Sequence, residues 1–317
     1  MEMKASMKSI EERVKENREN LAKQDAWARS VEKSDFMSQI IVEEQAYGTG
    51  AREKIDYIYK KGTENKKKPI FFYIHGGGWI AGDKNSRRNY CGKFADSGYF
   101  CVNIEYDLAP EKKFPFAIGQ CIHAVDYVLD HAEEWNLDAE RIAVGGESAG
   151  VYYAAFVAAI SKDKTILEKL GLPQMKHQEF DVKVNMFNCA AVELKNMAEK
   201  GFPDVDLMVE AFSGYPMKEI LAGKHDKEMG KLSPLSYINE QFPATFLIYG
   251  SLDSLRFNTF KMAEKFDQFG VPYKLYKSTG IFYGQHTTTM IFKSKKAFRV
   301  FDEVVAYMDG ILKKVDE

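Results

Sequence analysis

Two glycine-rich segments carry the residue types that acyl-transfer chemistry needs. In the first, the apolar run Arg141-Ile142-Ala143-Val144-Gly145 leads into Gly146-Glu147-Ser148-Ala149-Gly150 and then into the helical pattern Val151 to Ile160. A Gly-x-Ser-x-Gly match arises by chance in roughly one chain in ten of this length, so its setting carries the signal. Between a strand and a helix, small flanking residues let the turn tighten and push the serine hydroxyl out of the sheet as a nucleophile. The helix that follows aims its first N–H groups at the same spot, which favours negative charge there. A turn serving only packing is the bland alternative.

The second segment, His75-Gly76-Gly77-Gly78-Trp79, directly follows the apolar run Pro69 to Ile74. Attack on a carbonyl creates an oxyanion, and each fixed donor that meets it is worth about 3 kcal/mol in the transition state. Consecutive glycines leave backbone N–H groups uncovered for that purpose. Gly76 and Gly77, with the N–H of Ala149, are the expected donors. No Lys-Ser or Lys-Thr follows the glycines, as a phosphate loop would require. His75 precedes them on the strand and is expected to orient the loop.

A serine is a poor nucleophile at its free pKa, so it needs a base, and the base needs an orienting acid. Of the six histidines, His123 and His131 fall in a helical pattern ahead of the serine, and His177 and His225 sit in charged, exposed-looking stretches. Only His286 follows the last strand-like run, Tyr273 to Lys277, in a loop ahead of a carboxy-terminal helix. Asp253 lies just past the run Ala244 to Gly250. The chain order Ser148, Asp253, His286 is that of a nucleophile, an orienter and a base at successive strand ends. Taken singly, Asp253 reads equally as a helix cap and His286 as a surface histidine.

These side chains need a scaffold that brings distant segments to one edge. Apolar runs at 69–75, 99–106, 141–146, 182–188, 244–250 and 273–277 alternate with helical patterns such as 116–135. This predicts an α/β fold: a mostly parallel sheet with helices on both faces and functional residues at the carboxyl ends of its strands. Residues 54–60 alternate like a half-buried strand, and Lys66, Lys67 and Lys68 read as solvated hairpin charge. Residues 1–45 read as an amphipathic helical cap segment, with Ile10, Val14, Leu21, Trp27 and Val31 at helical spacing, and 46–317 as the catalytic domain. Residues 190–241 break the alternation and read as an insertion completing the cap. Trp79, Phe36, Met37, Tyr152 and Phe212 are candidate walls for the substrate pocket.

With 317 residues and 45% hydrophobic content, the chain can bury a large core without disulfide staples. A net charge of only -2 argues against a nucleic-acid partner. The charged amino terminus lacks the apolar stretch of a signal or membrane span, so a cytoplasmic location is expected. Cys91, Cys101, Cys121 and Cys189 show no CxxC spacing and are expected to be reduced, packed thiols. No metal and no cofactor is expected. The partner would be a small-molecule ester, and homo-oligomers are compatible with the sequence.

On these motifs the chain resembles the hormone-sensitive-lipase-like branch of the α/β hydrolases, bacterial carboxylesterases and acetyl esterases marked by an HGGG loop. The likeness runs from about Lys68 to the end. It includes His75 to Trp79, Tyr106 to Glu111 with Phe114-Pro115, the segment Asp138 to Gly150, and Leu252 to Arg256. It implies a carboxylic ester hydrolase with an α/β-hydrolase fold, a lid built from the amino-terminal region and an insertion, and activity on short acyl chains without a cofactor. Three positions depart from the branch. Glu147 stands where aspartate is common, and Val151 replaces a frequent glycine. The histidine expected three residues after Gly280 would fall at Tyr283, so a longer loop must deliver His286. Two other readings use the same residues: a catalytically idle ligand-binding receptor, as in the plant gibberellin receptors, and an amidase or peptidase.

Overall fold

The computed structural model describes residues 8–199 and 201–313. Eight strands, β1 (Ile40–Ala46), β2 (Lys54–Lys60), β3 (Lys68–Ile74), β4 (Phe100–Ile104), β5 (Leu137–Glu147), β6 (Val184–Asn188), β7 (Ala244–Gly250) and β8 (Tyr273–Ser278), form one sheet in the order β1-β2-β4-β3-β5-β6-β7-β8. The β1–β2 and β2–β4 pairs are antiparallel and every later pair is parallel. Every apolar run read as a strand is one. β1 is the strand that periodicity missed: it is an edge strand whose outer half is exposed, so it lacks the continuous apolar run of a covered strand.

Eleven helices complete the described chain: α1 (Ile10–Val31), α2 (Arg88–Asp96), α3 (Phe116–Asp130), α4 (Ala149–Lys162), α5 (Thr165–Lys169), α6 (Leu194–Glu199), α7 (Val205–Ser213), α8 (Met217–Leu221), α9 (Asp226–Leu232), α10 (Arg256–Phe269) and α11 (Lys295–Leu312). Alternate side chains of β3 feed two cores, as a strand covered on both faces must. Phe72 and Ile74 join the layer containing α3, α4 and α10, whereas Phe71 and Tyr73 join α2 and α11.

Register brings the two glycine segments together. Ile74 pairs with Gly146, so the chain leaving β3 at His75 lies beside the chain leaving β5 at Ser148. Glu147 pairs with Asn188, and Gly250 with Ser278, so the ends of β6, β7 and β8 open on the same edge.

The amino-terminal region forms one long helix, α1, opened by a Ser9–Glu12 capping box, followed by a short helical turn at Asp35–Gln39. Val14 is the only buried residue of α1, so polar ties hold it in place. Arg13 pairs with Asp206 at 3.0 Å, and the Arg18 guanidinium donates to Ile80 O at 2.7 Å and to Glu111 at 2.7 Å. The stretch 190–241 carries α6 to α9, of which α7 packs against α1. Lys68 is not the solvated charge expected: it is buried, and its ammonium donates to the carbonyls of Thr63, Glu64 and Lys66 at 2.9, 3.3 and 2.7 Å, closing the turn before β3. All four cysteines are buried and free. No helix among the described residues is long and apolar enough to cross a membrane.

Candidate active site

Ser148 stands at the junction of β5 and α4 with φ 53 and ψ -123, a conformation side chains rarely adopt. The crossing is tight enough to exclude larger neighbours. A Cβ on Gly150 would come within 2.1 Å of Ile74 O, so only glycine lets α4 start against β3. Ser148 N–H donates to Asn188 O at 3.0 Å, which fixes the turn to β6.

The glycine loop folds over this turn. His75 is wholly buried, stacked on Tyr106, with Nδ1 2.8 Å from Gly76 O and Nε2 3.3 Å from Glu105, so its ring braces the loop from behind. Gly77 has φ 126, and a Cβ there would meet Ala81 O at 2.0 Å. One expected oxyanion donor needs correction. The Gly76 N–H already donates to Glu147 Oε1 at 2.9 Å, so it has no proton to offer a substrate. Among the described residues the N–H groups of Gly77, Gly78 and Ala149, like those of Trp79 and Gly150 beside them, have no assigned partner, which leaves the first three available as donors at the turn.

Glu147, the unusual residue beside Ser148, explains that bond. Its buried carboxylate also accepts from Arg87 Nε at 2.5 Å and from the Tyr73 hydroxyl. Arg87 in turn reaches Asp25 of α1 at 3.2 Å. Burial and the Glu147 charge push the Tyr73 phenol well above its ordinary value, keeping it a neutral donor. The network links α1, the glycine loop and the Ser148 turn. Removing one partner of a buried ion pair costs about 3–5 kcal/mol. Glu147→Ala is therefore expected to lower the melting temperature by roughly 5 °C or more. A thermal melt matching the wild-type one excludes the strut.

Asp253 and His286 arrive from the loops after β7 and β8 and meet: His286 Nδ1 lies 2.8 Å from Asp253 Oδ2. Asp253 is not the side-chain cap of α10; its Oδ1 accepts from Leu255 N–H at 2.8 Å, inside the loop. Burial works to raise the Asp253 carboxyl, but the charge and hydrogen bond of His286, with the Leu255 N–H, hold it below its ordinary value. The longer loop after Gly280 closes with Gly284 N–H on Gly280 O at 2.8 Å, and this turn brings His286 to the carboxylate. His177 and His225 are half-buried rather than exposed, paired with Asp130 and Glu219 away from this edge. Among the described residues, Cys189, Asp253 and His286 bring three donor atoms within 4.8 Å of one another, a spacing a metal ion could use. Asp253 and His286 already spend theirs on each other.

Ser148, His286 and Gly76 to Gly78 line one cleft of about 390 Å³. Its other walls are Asn17, Asn20, Leu21 and Gln24 of α1, Arg87, Glu147, Thr287, and Phe202, Pro203, Asp204 and Met208. None of these walls was among the expected pocket residues. Phe202 also lies edge-on to the His286 ring at 5.3 Å. Trp79, Tyr152 and Phe212 instead form a buried aromatic joint, with centroids 4.9 to 5.6 Å apart, that fastens α7 to α4 behind the cleft. Phe36 and Met37 lie elsewhere, since the helical turn that carries them packs Phe36 on Phe292 and Met37 on Gly92 of α2. Leu21 is one of several apolar residues spaced along α1, and nothing in the sequence marks which of them faces a cleft.

The sequence model of the BD-FAE family matches residues 56–258. An esterase of Gibberella moniliformis is 25% identical over 253 residues, covering 78% of this chain and 75% of its own. Esterase LipI of Mycobacterium tuberculosis is 26% identical over 224 residues, covering 70% of this chain and 67% of its own. Among solved structures, esterase B of Lactobacillus rhamnosis superposes with a TM-score of 0.85 at 21% identity, covering 97% of this chain and 96% of that one.

Proposed function

As a member of the BD-FAE family within the hormone-sensitive-lipase-like α/β-hydrolase esterases, the chain is a carboxylic ester hydrolase, and we propose that it works as a serine esterase on short-acyl esters. Ser148 is the nucleophile, His286 the base and Asp253 the residue that holds the imidazole tautomer. The observation that carries this reading is the 2.8 Å Asp253–His286 bond, made by a histidine that lines the same cleft as Ser148 and the glycine loop.

In the first step Ser148 Oγ attacks the ester carbonyl as His286 takes its proton, and the oxyanion is met by the N–H groups of Gly77, Gly78 and Ala149. His286 then returns the proton to the departing alcohol, leaving an acyl group on Ser148. Water, deprotonated by the same imidazole, attacks that acyl group and releases the acid. A second cavity of about 300 Å³ shares Leu21, Gln24, Arg87 and His286 with the cleft and is walled by Trp27, Tyr90 and Met290. It offers room for the alcohol portion on the side where His286 must deliver its proton. The amino-terminal helix and residues 190–241 act as the cap.

A cleft of about 390 Å³ lies near the small end for ligand sites, which favours compact esters. Across p-nitrophenyl esters from acetate to dodecanoate, kcat/KM is expected to peak at or below butyrate and to fall roughly 10-fold or more by octanoate. A flat or rising series removes the short-acyl assignment. An organophosphonate is expected to label Ser148; an unlabelled serine in folded protein favours an idle receptor.

A further inference from the structure

Cys189, the first residue beyond β6, plays no part in the acyl-transfer steps, yet it sits under the two loops that matter most to them. It is 1% exposed and has φ 54, a conformation that non-glycine residues avoid unless the surroundings impose it. Its N–H donates to Ile248 O at 2.8 Å, tying it to β7 just ahead of the Asp253 loop. Its sulfur accepts the N–H of Thr287, the residue after His286, at 3.3 Å. Sγ, an Asp253 carboxylate oxygen and a His286 ring nitrogen lie within 4.8 Å of one another.

We propose that Cys189 is a positioning residue whose thiol holds the Asp253 carboxylate and the His286 loop in register; this rests on the assignment of Asp253 and His286 above. The carboxylate already accepts from His286 Nδ1 and Leu255 N–H, while the Arg256 guanidinium is engaged with the main-chain oxygen of Asp253. The thiol lies within 4.8 Å of that carboxylate, on its β6 side, where it can serve as a further donor, and its sulfur takes a backbone N–H from the His286 loop. One side chain thereby spans the loops after β7 and β8. Burial, with the negative Asp253 beside it, pushes the Cys189 thiol well above its ordinary value. It is therefore a protonated donor and does not compete with Ser148 as a nucleophile.

The test compares Cys189→Ala, Cys189→Gly and Cys189→Ser with the wild type on p-nitrophenyl butyrate, alongside thermal melts. Glycine adopts the observed φ without strain, so it removes the thiol even if alanine unfolds the chain. Loss of the thiol is expected to lower kcat ~10-fold or more and to leave KM within about twofold, because binding walls are untouched. Losing a donor raises the Asp253 carboxyl from its depressed value, and the acidic limb of the kcat/KM profile is expected to move to higher pH. Cys189→Ser, which keeps a donor and an acceptor, is expected to restore both. Wild-type kcat and an unmoved acidic limb in Cys189→Gly overturn the proposal, as does a serine variant no better than glycine. His286→Ala is the control: if it stays active, the base assignment fails; if it is inactive while Cys189→Gly is unimpaired, the positioning role fails.

Discussion

Replacing Ser148 with alanine is expected to lower kcat for p-nitrophenyl butyrate by roughly 10⁴-fold or more while leaving the fold intact. The loss is large because the hydroxyl is the group that forms the acyl-enzyme; the residual rate reflects binding and the oxyanion donors alone. The fold is expected to hold because the substitution removes one oxygen and leaves the backbone of the turn, with Ser148 N–H still on Asn188 O. Gel filtration and a thermal melt within about 2 °C of wild type establish folding, after which the rate decides. Undiminished turnover removes Ser148 from the mechanism.

Asp253→Asn is expected to cost roughly 10³- to 10⁴-fold in kcat with little change in KM. The carboxylate accepts from His286 Nδ1 and so leaves the other ring nitrogen to act as the base. A carboxamide can present an N–H to Nδ1 instead, which selects the wrong tautomer. A second readout follows from ionisation. The Asp253 carboxyl sits below its ordinary value in the folded chain, so its ionised form contributes stability that is present above the unfolded-state value of about 4 and is lost as pH falls through the lower folded value. Urea midpoints at pH 7 and at roughly pH 3 are therefore expected to differ less for Asp253→Asn than for wild type. Equal pH dependence in the two proteins removes the charge linkage, and a kcat within tenfold of wild type removes the tautomer role.

Both predictions involve residues legible from sequence, and so does the order in which the strands deliver them. A strand running into Gly-x-Ser-x-Gly, and another running into three glycines, are local instructions. The chemistry of each turn follows from residues within five positions of it, and parallel strands then place their carboxyl ends on one edge. Asp253 and His286 were legible by the same logic, even with the histidine three residues later than the family spacing, since a loop can lengthen without moving its anchors.

What the sequence leaves undetermined is how segments far apart along the chain compete for the same atoms. Gly76 looks like a donor until Glu147, 71 positions away, takes its N–H. Trp79, Tyr152 and Phe212 look like pocket walls until they stack on one another, and Phe36 and Met37 until their helical turn packs against α2 and Phe292. Leu21, Met208 and Arg87 line the cleft only because α1 and residues 202–208 fold over it. The amino-acid order by itself determined the scaffold class and singled out the candidate reacting groups, because turn geometry and apolar periodicity act over a few residues. Tertiary structure alone decided which N–H groups stay free, which aromatics form joints and which side chains line the cleft, because each of those outcomes is a contest between partners that only folding brings within reach.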